Sequence, residues 1–336
     1  MAIPSGLPDL LAHGRIARVV AELKQRAETA RTEAVTGRYE DQTRAVGGDI
    51  GSIQLIQKAA DDAKAYQTTL ALAANRAART QTVLEKLTTE SGVLATDALS
   101  FLGRGDHDAL ISAAESAKGA LYDVFAALNT TGGDRALFSG DAVDRTPLAA
   151  VETLLADVAA IVAGAPDAAS AEAALDTYFN DPAGGFQTTI YQGGAGQAPS
   201  VEIAPGVRVN ASVKADAQPI KDLIRSLATL AQYPAAPGGS AGERDALATA
   251  AAERALGAEE ALVQLRAVIG VAEARIAGSI ARYEEEERVL TNLVNSKVAR
   301  DPFEAASQLQ QYESQLEASF LVASRISRLS LADFLR

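Results

Sequence analysis

Two long stretches of this chain contain no proline, Asp49 to Phe101 and Glu243 to Arg300. In both, apolar residues recur in steps of three and four over many turns. The first carries Ile50, Ile53, Ile56, Ala60, Ala63, Leu70, Ala74, Ala77, Leu84 and Leu87. The second carries Leu262, Leu265, Ile269, Ala272, Ile276, Ile280, Tyr283, Leu290 and Val294. This period predicts long helices of coiled-coil type. At ~1.5 Å rise per residue, the second reaches roughly 80 Å if unbroken, beyond the diameter of an ordinary globular domain. Each stripe needs a partner, so the two runs are predicted to pair. Aromatics make up only 5% of the chain and Trp is absent, which suits closely packed helices better than a compact enzyme core.

The punctuation between these runs sets the organisation. "GRGDHD", Gly103 to Asp108, breaks the first helix, and Asp106 or Asp108 is placed to cap the next. That helix turns Leu110, Ala114, Leu121, Val124, Phe125 and Leu128 inward and ends at "NTTGG". Leu148 to Val162 and Ala171 to Phe179 read as shorter helices. From Gly184 the texture becomes strand and turn: "TTIYQGG" and "SVEIAPGVRVNASV" alternate apolar and polar residues. Pro205-Gly206 between "VEI" and "VRV" predicts a hairpin about a type II turn. Asp301-Pro302 ends the second long run and starts the last helix. The predicted fold is mostly α, an elongated antiparallel coiled-coil bundle of N- and C-terminal helices with an inserted α+β side domain. Its segments are 1–45 (N-terminal assembly helix), 46–134 (first half of the bundle), 135–220 (side domain), 221–300 (second half) and 301–336 (C-terminal assembly helix).

The two ends are unusual because both are greasy. Leu309, Tyr312, Leu316, Phe320, Ala323, Ile326 and Leu329 form a stripe that runs into Leu331, Phe334 and Leu335. Ile3, Leu7, Leu10, Ile16, Val20 and Leu23 form a matching thin stripe. Burying one such stripe does not offset the entropy of ordering the whole segment. Pairing the two covers part of each, and the remainder calls for neighbours in other molecules. These residues are the predicted assembly interface, ordered in a polymer rather than in the single chain. The plainer reading is a terminal helix docked on its own bundle.

Charge and residue usage exclude several function classes. A net charge of -12 argues against nucleic acid, which needs clustered cations, and against an anionic membrane surface. With no cysteine there are no disulfides or thiolate metal sites. The N-terminus lacks the pattern of a cleavable secretory signal, and no run is long and apolar enough to span a bilayer. His13 and His107 lie far apart; the aspartates of "GDHD" serve as helix caps rather than metal ligands. "YQGGAGQA" lacks the spacing and lysine of a phosphate loop, and "FSGD" lacks half of a nucleophile elbow. "EEEE" and Asp61-Asp62 are solvated helix faces. No enzyme and no cofactor are expected.

Several stretches together resemble the flagellin family of bacterial flagellar axial proteins, and within it the hook–filament junction branch, the third hook-associated proteins. "AVTGRYEDQTRAVGGDIGSIQLI" (Ala34 to Ile56) is similar to the family's small-Gly-basic turn before a long helix. "RALFSGD" (Arg135 to Asp141) is similar to the junction branch's Leu-Phe-Ser-Gly, and "IYQGGAGQAPSVEIAPGVRVNAS" to its Tyr-x-Gly strand and hairpin. "VIGVAEARIAGSIARYEEEE" and the final Leu-Ser-Leu-x-x-Phe-Leu are similar to its C-terminal region. The Asn- and Gln-rich N-terminal signature of flagellin itself is absent, and so is the proline of the family's Asp-rich segment. The resemblance implies terminal helices packed as an inner tube and export through an axial channel without signal cleavage. It implies an extracellular place at the junction, with copies of itself, the first hook-associated protein, flagellin and, before secretion, a cytoplasmic export chaperone as partners. A divergent flagellin forming the filament is the alternative within the family. Outside it stand a secreted membrane-active translocator, with Arg325 and Arg328 at lipid headgroups, and an adhesin acting through the middle domain.

Overall fold

A computed structural model describes the backbone of residues 7–45, 49–133, 135–235 and 237–334, and side chains over these ranges except 7–13, 42, 44, 90–91 and 326–334. The chain is mostly helical. α1 (Leu7–Thr36), α2 (Gln42–Ala45), α3 (Ile50–Arg104) and α4 (His107–Leu128) come first. α5 (Val151–Gly164), α6 (Ala168–Asn180) and α7 (Gln218–Leu230) follow, then α8 (Ala241–Val298) and α9 (Pro302–Phe334). Two small antiparallel sheets are present, β1 (Thr131–Gly132) with β2 (Arg135–Ala136) and β3 (Ser200–Ala204) with β4 (Val207–Asn210). The chain divides into two units. One comprises residues 1–64 and 284–336, the other residues 65–283.

In the larger unit, α3 and α8 lie side by side in opposite directions. Tyr66 stacks on Tyr283 with ring centroids 4.8 Å apart. Further along, Gln81 Nε2 donates to the Arg266 carbonyl at 2.7 Å. Leu70, Ala77, Leu84 and Leu87 of α3 and Leu262, Ile269 and Ile276 of α8 are fully buried. The predicted stripe fails at its first residue, since Ile50 at the start of α3 is exposed. Asp106 caps α4, its Oδ1 accepting the Ala109 N–H at 3.1 Å, and all six predicted inward residues of α4 are buried.

The middle of the chain packs on the same core. α7 is buried along Leu223–Leu230, including the side chain of Arg225. Arg225 spans α6 and α7, meeting Glu172 at 2.7 Å and Asp176 at 2.8 Å, and Arg254 of α8 completes the cluster on Glu172. The β3–β4 hairpin turns at Pro205-Gly206, where Gly206 has φ +74°. Arg282 of α8 anchors it by donating to the Ile203 carbonyl at 3.1 Å.

One element differs from the sequence reading. "TTIYQGG" is not a strand: Phe186–Ile190 forms a π-helical turn, with the Tyr191 N–H donating to the Phe186 carbonyl at 2.8 Å. Only Tyr191 makes a strand-like bridge, to Leu148. Burial decides the outcome. Phe186 and Ile190 are both in the core while Thr188 between them is exposed, whereas an alternating strand would have put all three on one face.

Candidate assembly interface

In the smaller unit, α1 and α9 pack along each other in opposite directions. Glu33 and Arg300 meet at one end, while Ile16 and Val19 face Ala318 and Val322 further along. Alanines make the close approach: Ala27, Ala30 and Ala305 are buried. Among the predicted interface residues, Ile16, Val20 and Leu23 of α1 and Leu309, Tyr312, Leu316 and Ala323 of α9 are half-buried. Phe320 is 60% exposed, and its neighbours Leu321 and Val322 are 57% and 49% exposed. Ile3 and Leu335 lie outside the described residues. Leu7, Leu10, Ile326, Leu329, Leu331 and Phe334 lie in the helices, with side chains outside the described set.

The pair is fastened where α1 and α9 begin to meet, by residues the sequence reading did not single out. Gly37 has φ +64°, in the left-handed region that L side chains rarely adopt, and it turns the chain out of α1. The next residues pair with the turn between α8 and α9. The Tyr39 N–H donates to the Val298 carbonyl at 3.0 Å, and the Arg300 N–H donates to the Gly37 carbonyl at 2.9 Å. Arg300 is 9% exposed. Its guanidinium lies over the Tyr39 ring, 4.8 Å from the centroid, and donates to the Tyr39 hydroxyl at 2.8 Å. Glu33 at 3.6 Å and Glu304 at 3.3 Å balance its charge. The hydrogen bond to Tyr39 is the first cause holding the Arg300 pKa above its ordinary value, so the charge is permanent. The legible signal was the Gly-Arg-Tyr turn in Ala34–Ile56. Nothing in the sequence tied it to the Asp301-Pro302 break.

Between the helices the surface changes character along its length. Beside the clamp, a polar groove of about 680 Å³ is lined by residues including Gln25, Arg26, Thr29 and Gln308. Further along, a groove of about 280 Å³ is almost wholly apolar, with Ile16, Val19 and Val322 in its walls. The helix pair therefore holds itself at one end through a buried ionic clamp and leaves greasy surface open toward the other. That geometry suits helix packing.

In the larger unit, the two middle stretches singled out in the sequence come together. Asp141 of "RALFSGD" accepts the Gly196 N–H of "YQGGAGQA" at 3.2 Å, and the Gly194 N–H donates to the Ser139 carbonyl at 2.8 Å. A Cβ on Gly194 would sit 1.6 Å from Asp141 Oδ1, so this approach requires glycine. The glycines are structural, closing one loop on the other.

His107 is also absorbed by structure. Its Nδ1 lies 2.8 Å from the Tyr233 hydroxyl, which donates to Asp245 at 2.8 Å. Burial, then the Asp245 carboxylate, pushes the Tyr233 phenol up to about 12. Among the described residues no group of His, Asp or Glu is arranged to hold a metal, and no helix is long and apolar enough to cross a membrane.

Half-covered terminal helices on a mostly helical, aromatic-poor chain leave apolar surface free for packing. Among solved structures, the chain is similar to a protein of Vibrio parahaemolyticus assigned as flagellar hook-associated. The match has a TM-score of 0.50 and 10% identity over 73% of this chain and 95% of that one. It is also matched to FlgL of Bacillus cereus, with a TM-score of 0.44 and 14% identity over 74% of this chain and 97% of that one. The first likeness shows a shared fold. No family model and no curated protein matches the chain.

Proposed function

We propose that the chain is a structural component of the bacterial flagellum, an adaptor that joins the hook to the flagellin filament through helix–helix packing. The observation that carries this reading is the α1–α9 pair, fastened by Arg300 at one end and apolar but uncovered beyond it. Supporting it are the fold shared with a protein assigned as flagellar hook-associated and the motif stretches that resemble the junction branch. On this reading α1 and α9 pack against the same helices of neighbouring copies in an inner tube. The long helices α3 and α8 form the next layer as a coiled-coil bundle. One surface meets the first hook-associated protein and the other meets flagellin. The bundle absorbs the mismatch between a bending hook and a stiff filament. The chain is no enzyme, travels unfolded without signal cleavage, and is held by a chaperone before export.

Immunogold labelling of detached flagella with antibody to residues 135–220 tests this. Gold confined to a narrow band where hook meets filament is the expected result. Gold along the whole filament identifies a filament subunit instead, and absence of gold from flagella contradicts the axial role.

A further inference from the structure

α8 has two apolar faces, and only one is covered within a single copy. Leu262, Ile269 and Ile276 are buried in the core. The opposite side exposes Val263 at 50%, Val268 at 64% and Val271 at 57%, with exposed Ala267 and Ala274 among them. From 261 to 274, no exposed position of α8 carries a charge. A helix that is apolar on both sides is normally covered on both.

The residues that flank this face are placed symmetrically about its middle. Glu260 and Arg275 are both exposed, and neither has an ion pair or side-chain hydrogen bond among the described residues. Gly257 and Gly278 are exposed too, and a Cβ on either would meet nothing within 4 Å. Glycine inside an exposed helix is destabilising relative to alanine, and nothing within one copy calls for it at these two places. Both pairs centre on the step from Ala267 to Val268.

We propose that α8 pairs with α8 of a second copy, antiparallel, about a two-fold axis at Ala267–Val268. The contact is isologous, so each feature is met twice. Gly257 faces the partner's Gly278, which lets the two backbones approach at both ends of the contact. Glu260 faces the partner's Arg275, and these charges set the direction, as they do across coiled-coil seams. A parallel pair would bring Glu260 onto Glu260 and Arg275 onto Arg275. The valines and alanines between them supply the apolar contact. A two-fold contact closes on itself and propagates nothing, so this dimer is a state distinct from any growing axial polymer. It needs neither α1 nor α9 and stands independently of the proposed function.

The chain has no cysteine, so single cysteines in the full-length protein are clean probes. Ala267→Cys is expected to give a disulfide-linked dimer on mild oxidation. Ala277→Cys, exposed on the same helix but away from the axis, is expected to stay monomeric. In sedimentation velocity, wild type shows a species of twice 34.8 kDa. Glu260→Arg weakens that association at least about tenfold, and Glu260→Arg with Arg275→Glu restores it. The proposal is overturned by equal cross-linking at both cysteines, or by a wild-type chain that is monomeric at every concentration. It is overturned equally by association that is indifferent to the charge swap, which is the pattern expected if the terminal helices carry it instead.

Discussion

Arg225→Ala is expected to lower the unfolding midpoint of the 65–283 unit by roughly 6–12 °C. The Arg225 side chain is 4% exposed and joins α7 to two acidic residues of α6, Glu172 and Asp176. Removing one partner of a buried pair costs about 3–5 kcal/mol, because the other charge stays behind without compensation. Here Arg254 still contacts Glu172, and Asp176 is 62% exposed, so the lower end, about 3 kcal/mol, applies. For a unit of this size each kcal/mol moves the midpoint by about 2–4 °C. Scanning calorimetry of Arg225→Ala beside Arg225→Met separates charge from packing, since Met retains most of the apolar stem. Equal loss in both variants places the effect in the ion cluster. Full recovery in Arg225→Met contradicts that.

The same cluster gives the unit an acid-sensitive edge. Hydrogen bonds from Arg225 first, then from Asn180, hold Asp176 below the usual carboxylate value of 3.8. A carboxylate depressed in the folded state contributes stability above its unfolded pKa and loses it as pH falls through the folded one. The contribution is therefore intact at neutral pH and lost only below about 3.8.

Arg300→Ala is expected to open the terminal pair while the 65–283 unit stays folded. Arg300 donates to the Tyr39 hydroxyl, lies over its ring and balances Glu33, whose side chain is 11% exposed. Truncation leaves Glu33 buried beside a neutral void and removes the hydrogen bond and ring contact at Tyr39. A loss on the order of 3 kcal/mol in local opening corresponds to roughly 100-fold faster exchange of amides near the clamp. Hydrogen exchange at Ala27–Gly37 and Phe303–Leu309 reads this directly. Arg300→Lys keeps the charge but loses the planar stack and the forked donors, and is expected to fall between. Wild-type exchange rates in Arg300→Ala would show that the alanine packing of Ala27, Ala30 and Ala305 suffices.

Much of the fold was legible because its signals are local. Proline-free runs with a helical apolar period became α3 and α8, and Asp301-Pro302 marked the α8–α9 break within a few residues. Asp106 acted as the cap, and Pro205-Gly206 as the hairpin turn. What escaped depends on contacts distant in sequence. Arg225 looks like a surface residue of an amphipathic helix until Glu172 and Arg254 arrive from other helices. Arg300 and Tyr39 are separated by 261 positions, and only the folded chain joins them. The π-helical turn at Phe186–Ile190 was hidden because five short polar and apolar residues satisfy a strand pattern equally well. At the ends, the stripes at Ile16–Leu23 and Leu309–Ala323 follow a helical period, but a period does not say how much of each is left uncovered.

Hydrogen exchange across α9 tests most directly whether that uncovered surface waits on neighbouring copies. Exchange is measured at Leu309–Ala323 in the free chain and again in the chain assembled on isolated flagella, with Leu121–Leu128 of α4 as the internal standard. Fast exchange is expected at Leu309–Ala323 in the free chain, against slow exchange in α4, with strong protection of both after assembly. Protection of Leu309–Ala323 in the free chain equal to that of α4 would mean that the terminal helices complete themselves, and that neighbouring copies are not what the exposed Phe320 and Leu321 await.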